Sequence, residues 1–212
     1  MFFPLIGALL GLILAGIDLL LAPVGGLALA SVSLVALLAL LTRGLHLDGL
    51  GDTFDGFGAG GNRERILRIM DDSHIGAFGV IAIVLVLSFK IHALASIDAE
   101  RWRALLAAPV LGRWAMVVLG YRSQPAKPGL GSALVEHLTT GHFFFATATT
   151  LFLTTAILHA GGLVIMGAVY VFGLVSKSFF HRRLGGVTGD TCGAIGELSE
   201  TSVLFFLAMM SQ

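Results

Sequence analysis

The chain is 212 residues long, 56% hydrophobic and 12% charged, with a mean hydropathy of +0.92. Water-soluble domains carry about twice that share of charge, so the composition predicts an all-α, polytopic protein embedded in a lipid bilayer, a single domain over residues 1–212. The 13 basic and 13 acidic residues cancel, leaving no basic field for nucleic acid, and the single cysteine, Cys192, excludes an intrachain disulfide.

Residues 2–22 are long enough to cross a hydrocarbon core, and 27–41 follow after the Pro23-Gly25-Gly26 break, which predicts a transmembrane hairpin. The Met-Phe-Phe-Pro start has no basic region, so the first segment reads as a retained span rather than a cleaved signal. Asp18, its one charge, is expected at the interface.

Residues 43–74 form a polar insertion that opens with His46-Leu-Asp48-Gly-Leu-Gly-Asp52-Thr-Phe-Asp55-Gly56. On a helix, that spacing stacks Asp48, Asp52 and Asp55 on one face. A glycine-rich hinge follows, and Asn62 then caps an interfacial helix with Ile66, Leu67, Ile69 and Met70 on one side and Arg63, Arg65, Arg68 and Asp72 on the other.

Residues 75–97 span again and carry Lys90; 102–120 form a fourth span with Arg113 near its middle. A polar loop over 121–141 leads to spans at 142–158 and 163–180, a glycine-rich loop over 181–198 and a short apolar stretch at 201–210. The expectation is six to seven transmembrane helices plus a cytoplasmic interfacial helix. If the spans alternate, Arg43, Arg63, Arg65, Arg68, Arg122, Lys127, Lys177, Arg182 and Arg183 share one face, against Arg101 and Arg103 on the other. The positive-inside rule then puts the polar loops 43–74, 121–141 and 181–198 in the cytoplasm.

Three stacked carboxylates repel unless a cation sits among them. A solvated acidic face would be the ordinary reading, but charge is scarce in this chain and has to be explained. Hard oxygen donors without a thiolate point to Mg²⁺ or Mn²⁺ rather than zinc, with Asp48, Asp52 and Asp55 as ligands; Asp71 and Asp72 close the interfacial helix at its unfavourable C-terminal end, a penalty that a metal or ligand would offset. His46, two residues before Asp48, is a candidate general base or ligand. Carboxylates that hold a divalent metal beside basic side chains are the usual apparatus for phosphate esters. The run Gly185-Gly186-Val-Thr188-Gly189-Asp190-Thr191 offers backbone N–H groups and two hydroxyls to an anion, and Asp190 and Glu197, seven apart, face one way on a helix that begins near Asp190. Lys90 and Arg113 inside spans are functional candidates by default.

Four motifs in order carry a resemblance across nearly the whole chain: residues 44–56, Ile69-Met70-Asp71-Asp72-Ser73-His-Ile75-Gly76, Gly129-Leu-Gly131, and residues 182–191. Together they resemble the cobalamin synthase family, the adenosylcobinamide-GDP ribazoletransferases. The resemblance implies a Mg²⁺-dependent, multi-pass enzyme of the cell membrane with its active site facing the cytoplasm. It would join adenosylcobinamide-GDP to α-ribazole, or α-ribazole 5′-phosphate, and release GMP. On that reading Asp48, Asp52, Asp55 and Asp72 hold the metal at the diphosphate, and Asp55 or His46 takes the proton of a ribazole hydroxyl. Arg68, Lys177 and Arg182 stabilise departing GMP, Thr188, Asp190, Thr191 and Glu197 bind substrate, and Lys90 and Arg113 line a cavity for the corrin ring. The position of Asp71 is commonly basic in the family, which favours Asp72 as the ligand, and family members carry further residues before the segment matching Phe3-Pro4-Leu5-Ile6-Gly7. The sequence leaves oligomeric state open.

Two other functions share some of these features. A CDP-alcohol phosphotransferase matches at Asp52-Thr-Phe-Asp55-Gly56-Phe-Gly-Ala59, but Gly60 stands where that family has Arg and its later Gly-x-x-x-Asp-x-x-x-Asp is absent. A divalent-cation transporter would place its carboxylates within the spans, whereas here they fall in the loops.

Overall fold

A computed structural model describes residues 2–211 as eight helices: α1 (Phe3–Leu41), α2 (Leu45–Ala59), α3 (Arg63–Met70), α4 (Ala77–Ser96), α5 (Arg101–Gly120), α6 (Leu130–His137), α7 (Thr140–Leu184) and α8 (Gly189–Met210). Five of them, α1, α4, α5, α7 and α8, are long and apolar enough to cross a membrane, so the chain is a multi-pass, all-α membrane protein.

α1 and α7 are each two spans. At 39 and 45 residues they exceed what one crossing needs, and each is interrupted by a non-helical residue, Gly26 (φ 73°) in α1 and His159 (φ 54°) in α7. Side-chain contacts show the fold-back. Asp18 and Ser31, 13 residues apart in α1, both accept from the Arg101 guanidinium, at 3.0 and 3.3 Å, whereas a straight helix would separate them by about 20 Å. Thr154 and Met166 of α7 likewise meet across the His159 bend. The bends put seven crossings into five helices, within the expected six to seven.

α5 is the central post. From Ala107 to Gly120 every residue is buried, and α1, α7 and α8 surround it. Small residues permit the approach: a Cβ on Gly11 of α1 would lie 2.7 Å from the Leu105 carbonyl oxygen, and one on Gly112 of α5 would meet the Glu200 side chain. The apolar side chains left exposed on α1, α4 and α7, among them Leu12, Leu19, Ile81, Leu85, Val164 and Val175, form the lipid-facing surface.

Three expectations change. Asp18 is buried rather than interfacial, since Arg101 supplies the charge that lets it remain inside. The expected loop 181–198 shrinks to residues 185–188. α7 runs on to Leu184 and ends at Gly185 in the left-handed region, and α8 starts at Gly189 and absorbs the short apolar stretch at 201–210. Glu197, Ser199 and Glu200 depress the hydropathy of α8, yet all three face inward and are buried. The loop 121–141 contains a helix, α6, while within 43–74 the acidic run forms α2 and the helix expected after Asn62 is α3. α3 begins as expected, with Asn62 accepting from the Arg65 N–H at 3.1 Å.

Candidate active site

The acidic run folds as α2, and its glycines decide what it touches. A Cβ on Gly49 would lie 2.8 Å from both Cα and the carbonyl oxygen of Asp190, and one on Gly193 would lie 3.1 Å from the His46 Cα. Bare backbone on both helices thus lets α2 and α8 meet closely, which brings Asp190 beside Asp48 and Asp52. The consequence is electrostatic. Partial burial, followed by the charges of Asp48 and Asp190, pushes the Asp52 carboxyl up to about 7. No hydrogen bond from the described residues reaches the side chains of Asp48 or Asp52.

Next to this cluster lies a cavity of about 710 Å³, at the end of the bundle where α1, α7 and α8 begin and α5 ends. Its polar lining is His46, Asp48, Asp71, Lys127, His137, His142 and Asp190, while Phe3, Leu45, Met116, Leu134, Leu138 and Cys192 make an apolar wall. That size and mixture suit a small-molecule site. Lys127 spans its floor, with Nζ 2.5 Å from Asp71 and 3.1 Å from Asp190. Although burial acts the other way, hydrogen bonds to these two carboxylates raise the Lys127 pKa above its usual value.

The loop that carries Lys127 is strapped in place. Val187 N–H donates to the Gln124 carbonyl at 2.8 Å and Ala126 N–H to the Val187 carbonyl at 2.9 Å, which pairs residues 124–126 with the turn between α7 and α8. Arg63 clamps both: its Nε donates to the Leu184 carbonyl at 2.6 Å and its Nη2 to the Ala126 carbonyl at 2.7 Å. Gly131 packs directly on the start of α8, where a Cβ would lie 2.5 Å from the Gly189 nitrogen. The glycine motif at 129–131 is therefore needed for contact between α6 and α8.

The residues singled out from sequence are divided by this geometry. His46, Asp48, Asp52 and Asp190 come together. Asp55 is turned elsewhere: its two carboxylate oxygens accept from the N–H groups of Gly76 at 2.7 Å and Gly79 at 2.9 Å, so it caps the N-terminus of α4. Asp72 lies outside the cavity and accepts from the backbone N–H and ring of His74, bonds that hold its carboxyl below the usual range; its neighbour Asp71 lines the cavity instead. Thr188 and Thr191 cap α8 with each other's backbone and are buried. Their hydroxyl protons are already used, Thr188 on Asp190 and Thr191 on the Thr188 carbonyl.

Lys90, Arg113 and Glu197 line no part of this cavity. Lys90 Nζ donates to Glu197 and Glu200 at 2.6 Å each, and Arg113 pairs with Glu200, all four side chains buried between α4, α5 and α8. Glu197 reaches toward the site, 3.9 Å from His46 Nδ1, a buried nitrogen with no hydrogen-bond partner. Burial, then the charges of Arg113 and Lys90, pushes His46 down to about 4, so its ring is uncharged at neutral pH. Lys177 donates to the Tyr121 carbonyl, and Arg68 and Arg182 are exposed, away from the cavity lining.

Lys127, Asp71, Glu200 and Arg63 are the residues that sequence reasoning did not assign to a site. Glu200 had a signal: two basic residues inside spans need two buried acids, and Glu197 supplies only one. Lys127 had none, because its place depends on a strap between two loops.

Among the described residues no three His, Cys, Asp or Glu side chains already form a cage for a metal ion. The donor chemistry nevertheless fits a hard divalent cation. Asp48 and Asp52 are two oxygen donors without competing bonds, on one helix face, and their repulsion is relieved by positive charge. A cation of the Mg²⁺ type takes one or two carboxylates and completes its shell with water and substrate phosphate rather than with protein alone.

Comparison with known proteins places the chain in a family. The family model of cobalamin-5-phosphate synthase matches residues 1–208. The chain is 41% identical to the adenosylcobinamide-GDP ribazoletransferase of Geotalea daltonii, covering 97% of this chain and 84% of that protein. It is 43% identical to the protein of the same name from Syntrophobacter fumaroxidans, with 99% and 86% covered, and 40% identical to that of Klebsiella pneumoniae, with 98% and 85% covered. No solved structure matches the chain.

Proposed function

Because the chain belongs to the cobalamin-5-phosphate synthase family, we propose that it transfers the cobinamide phosphate of adenosylcobinamide-GDP to α-ribazole or α-ribazole 5′-phosphate. The products are adenosylcobalamin or its 5′-phosphate, and GMP. The observation that carries this reading is the meeting of Asp48, Asp52 and Asp190 at the edge of a 710 Å³ cavity that has a charged floor and an apolar wall. A polar diphosphate and large organic groups need both.

Asp48 and Asp52 would hold Mg²⁺ or Mn²⁺, which when bound neutralises phosphate oxygens and lets the leaving phosphate depart. The chain's own residues do the rest. His46 lines the cavity two residues from Asp48, placed to take the proton of the attacking ribazole hydroxyl, and Glu197, 3.9 Å from its Nδ1, would stabilise the imidazolium that forms. The hydroxyl oxygen bonds to the phosphorus nearer cobinamide, and the bond from that phosphorus to the bridging oxygen breaks, so GMP leaves with the electron pair. The apolar wall shields the reacting groups from water, which would otherwise compete as the acceptor. The excess of basic residues on the loops around the cavity supports a cytoplasmic site.

A cation-transport function is less well supported, since the buried charges within the bundle are answered internally: Asp18 by Arg101, and Glu197 and Glu200 by Lys90 and Arg113. The test is an assay of purified protein in liposomes with adenosylcobinamide-GDP, ribazole phosphate and Mg²⁺. GMP and a corrinoid product are expected. Asp52→Asn should lower turnover by about a thousandfold or more while the protein stays folded; undiminished activity would remove Asp52 from the site, and no product from folded wild-type protein would sink the reaction.

A further inference from the structure

We propose that Lys127 binds the diphosphate of the nucleotide substrate, its ammonium held on the cavity floor by Asp71 and Asp190. This rests on the transfer reaction proposed above. A diphosphate is a polyanion, and the cavity already presents Asp48, Asp71 and Asp190, with Asp52 beside them. Like charges at such range repel strongly unless cations stand between them. Among the described residues that line the cavity, Lys127 alone carries a fixed positive charge.

The other cations nearby are held elsewhere. Lys90 and Arg113 are paired with Glu197 and Glu200 between α4, α5 and α8, Arg63 uses two of its five N–H donors to clamp the carbonyls of Leu184 and Ala126, and Lys177 donates to the Tyr121 carbonyl, so that none of the four lines the cavity. None of the remaining arginines lines the cavity. An ammonium has three N–H donors. Asp71 and Asp190 take one each, so a third is left for a phosphate oxygen.

Placement also favours the role. The backbone just before Lys127 is fixed by the bond from Ala126 N–H to Val187 and by the Arg63 clamp, and Pro128 follows. A long side chain with an anchored stem and two carboxylates steering its tip spends little further entropy on meeting an anion. Asp71 thereby acts as a positioning residue, which explains why a carboxylate at the end of α3 points into a cavity meant for an anion.

The experiment is calorimetry on the detergent-solubilised full chain with Mg²⁺ and inorganic pyrophosphate, run beside the GMP-release assay. Lys127→Met should weaken pyrophosphate binding by at least about tenfold and lower kcat/KM for adenosylcobinamide-GDP by about a hundredfold, and Lys127→Arg should recover much of both. If methionine prevents folding, Lys127→Gln gives the same reading. Wild-type binding and turnover in these folded variants would overturn the proposal. A wild-type chain that binds pyrophosphate through Lys127 but releases no GMP would refute the reaction and leave the diphosphate site standing. GMP release with pyrophosphate binding indifferent to Lys127 would do the reverse.

Discussion

Two groups of charged side chains, joined only through His46, show opposite designs. Between α4, α5 and α8, two bases and two acids, Lys90, Arg113, Glu197 and Glu200, balance one another away from water. At the cavity, the carboxylates Asp48, Asp52, Asp71 and Asp190 face, among the described residues, a single fixed cation, Lys127. Where charge is balanced the fold is being held together. Where it is left unbalanced, the missing charge belongs to something that binds.

The largest expected effect breaks the balanced group. Glu200→Ala would leave Arg113 without its partner and Lys90 with one acceptor in a region closed to water. Removing one member of a buried pair costs about 3–5 kcal/mol, so the variant should unfold at much lower temperature in detergent or fail to accumulate. A melting temperature equal to wild type would show that the network does not hold the bundle. Activity loss in this variant would follow from instability.

The unbalanced group should respond in the opposite sense. In metal-free protein, Asp52 titrates near 7 against 3.8 in a free chain, so the folded state binds that proton more tightly than the unfolded state. The stability tied to this proton is present in full below about 4 and is lost as pH rises through about 7. Asp52→Asn should flatten that decline and raise the melting temperature at neutral pH while abolishing turnover. Melting curves in EDTA from pH 5 to 8 compare the two chains. A variant less stable than wild type at pH 7 would mean that the carboxylate supports the fold.

What the sequence made legible follows the same division. Span number, the first hairpin and the α3 cap could be read because hydropathy, the Pro23-Gly26 break and Asn62 are local signals. So was the α2 face, where spacing alone stacks the aspartates. The extent of α8 was hidden because its buried acids look like loop residues until Lys90 and Arg113 are placed beside them, 107 residues away for the Lys90 to Glu197 bond. Lys127 was hidden for the same reason, since its partner Asp71 lies 56 residues earlier. Local periodicity places a residue on a face; only tertiary contact decides whether its charge is answered.

Asp55 shows how the distinction cuts inside one motif. It shares a helix face with Asp48 and Asp52, yet its oxygens cap α4. Asp55→Asn keeps one acceptor and should cost about 1 kcal/mol, the usual worth of a cap, with metal affinity close to wild type. Loss of Mn²⁺ binding, measured by electron paramagnetic resonance, would return Asp55 to the metal site.

The smallest effect is expected one residue from a large one. Asp72, with its side chain 57% exposed, bonds only to His74, whereas Asp71 next to it reaches 2.5 Å from Lys127 across the cavity floor. Family pattern alone favoured Asp72 as a ligand, and the turn that ends α3 reverses that choice by sending the two side chains in different directions. Exposed pairs of this kind add little to stability, so Asp72→Asn should leave melting temperature, Mn²⁺ affinity and kcat near their wild-type values. Asp71→Asn should instead raise KM for the diphosphate substrate, because the Lys127 ammonium loses one of its two guides, with little change in melting temperature. If Asp72→Asn proves the more damaging of the two, the cavity floor has been assigned to the wrong neighbour, and the positioning of Lys127 by Asp71 fails with it.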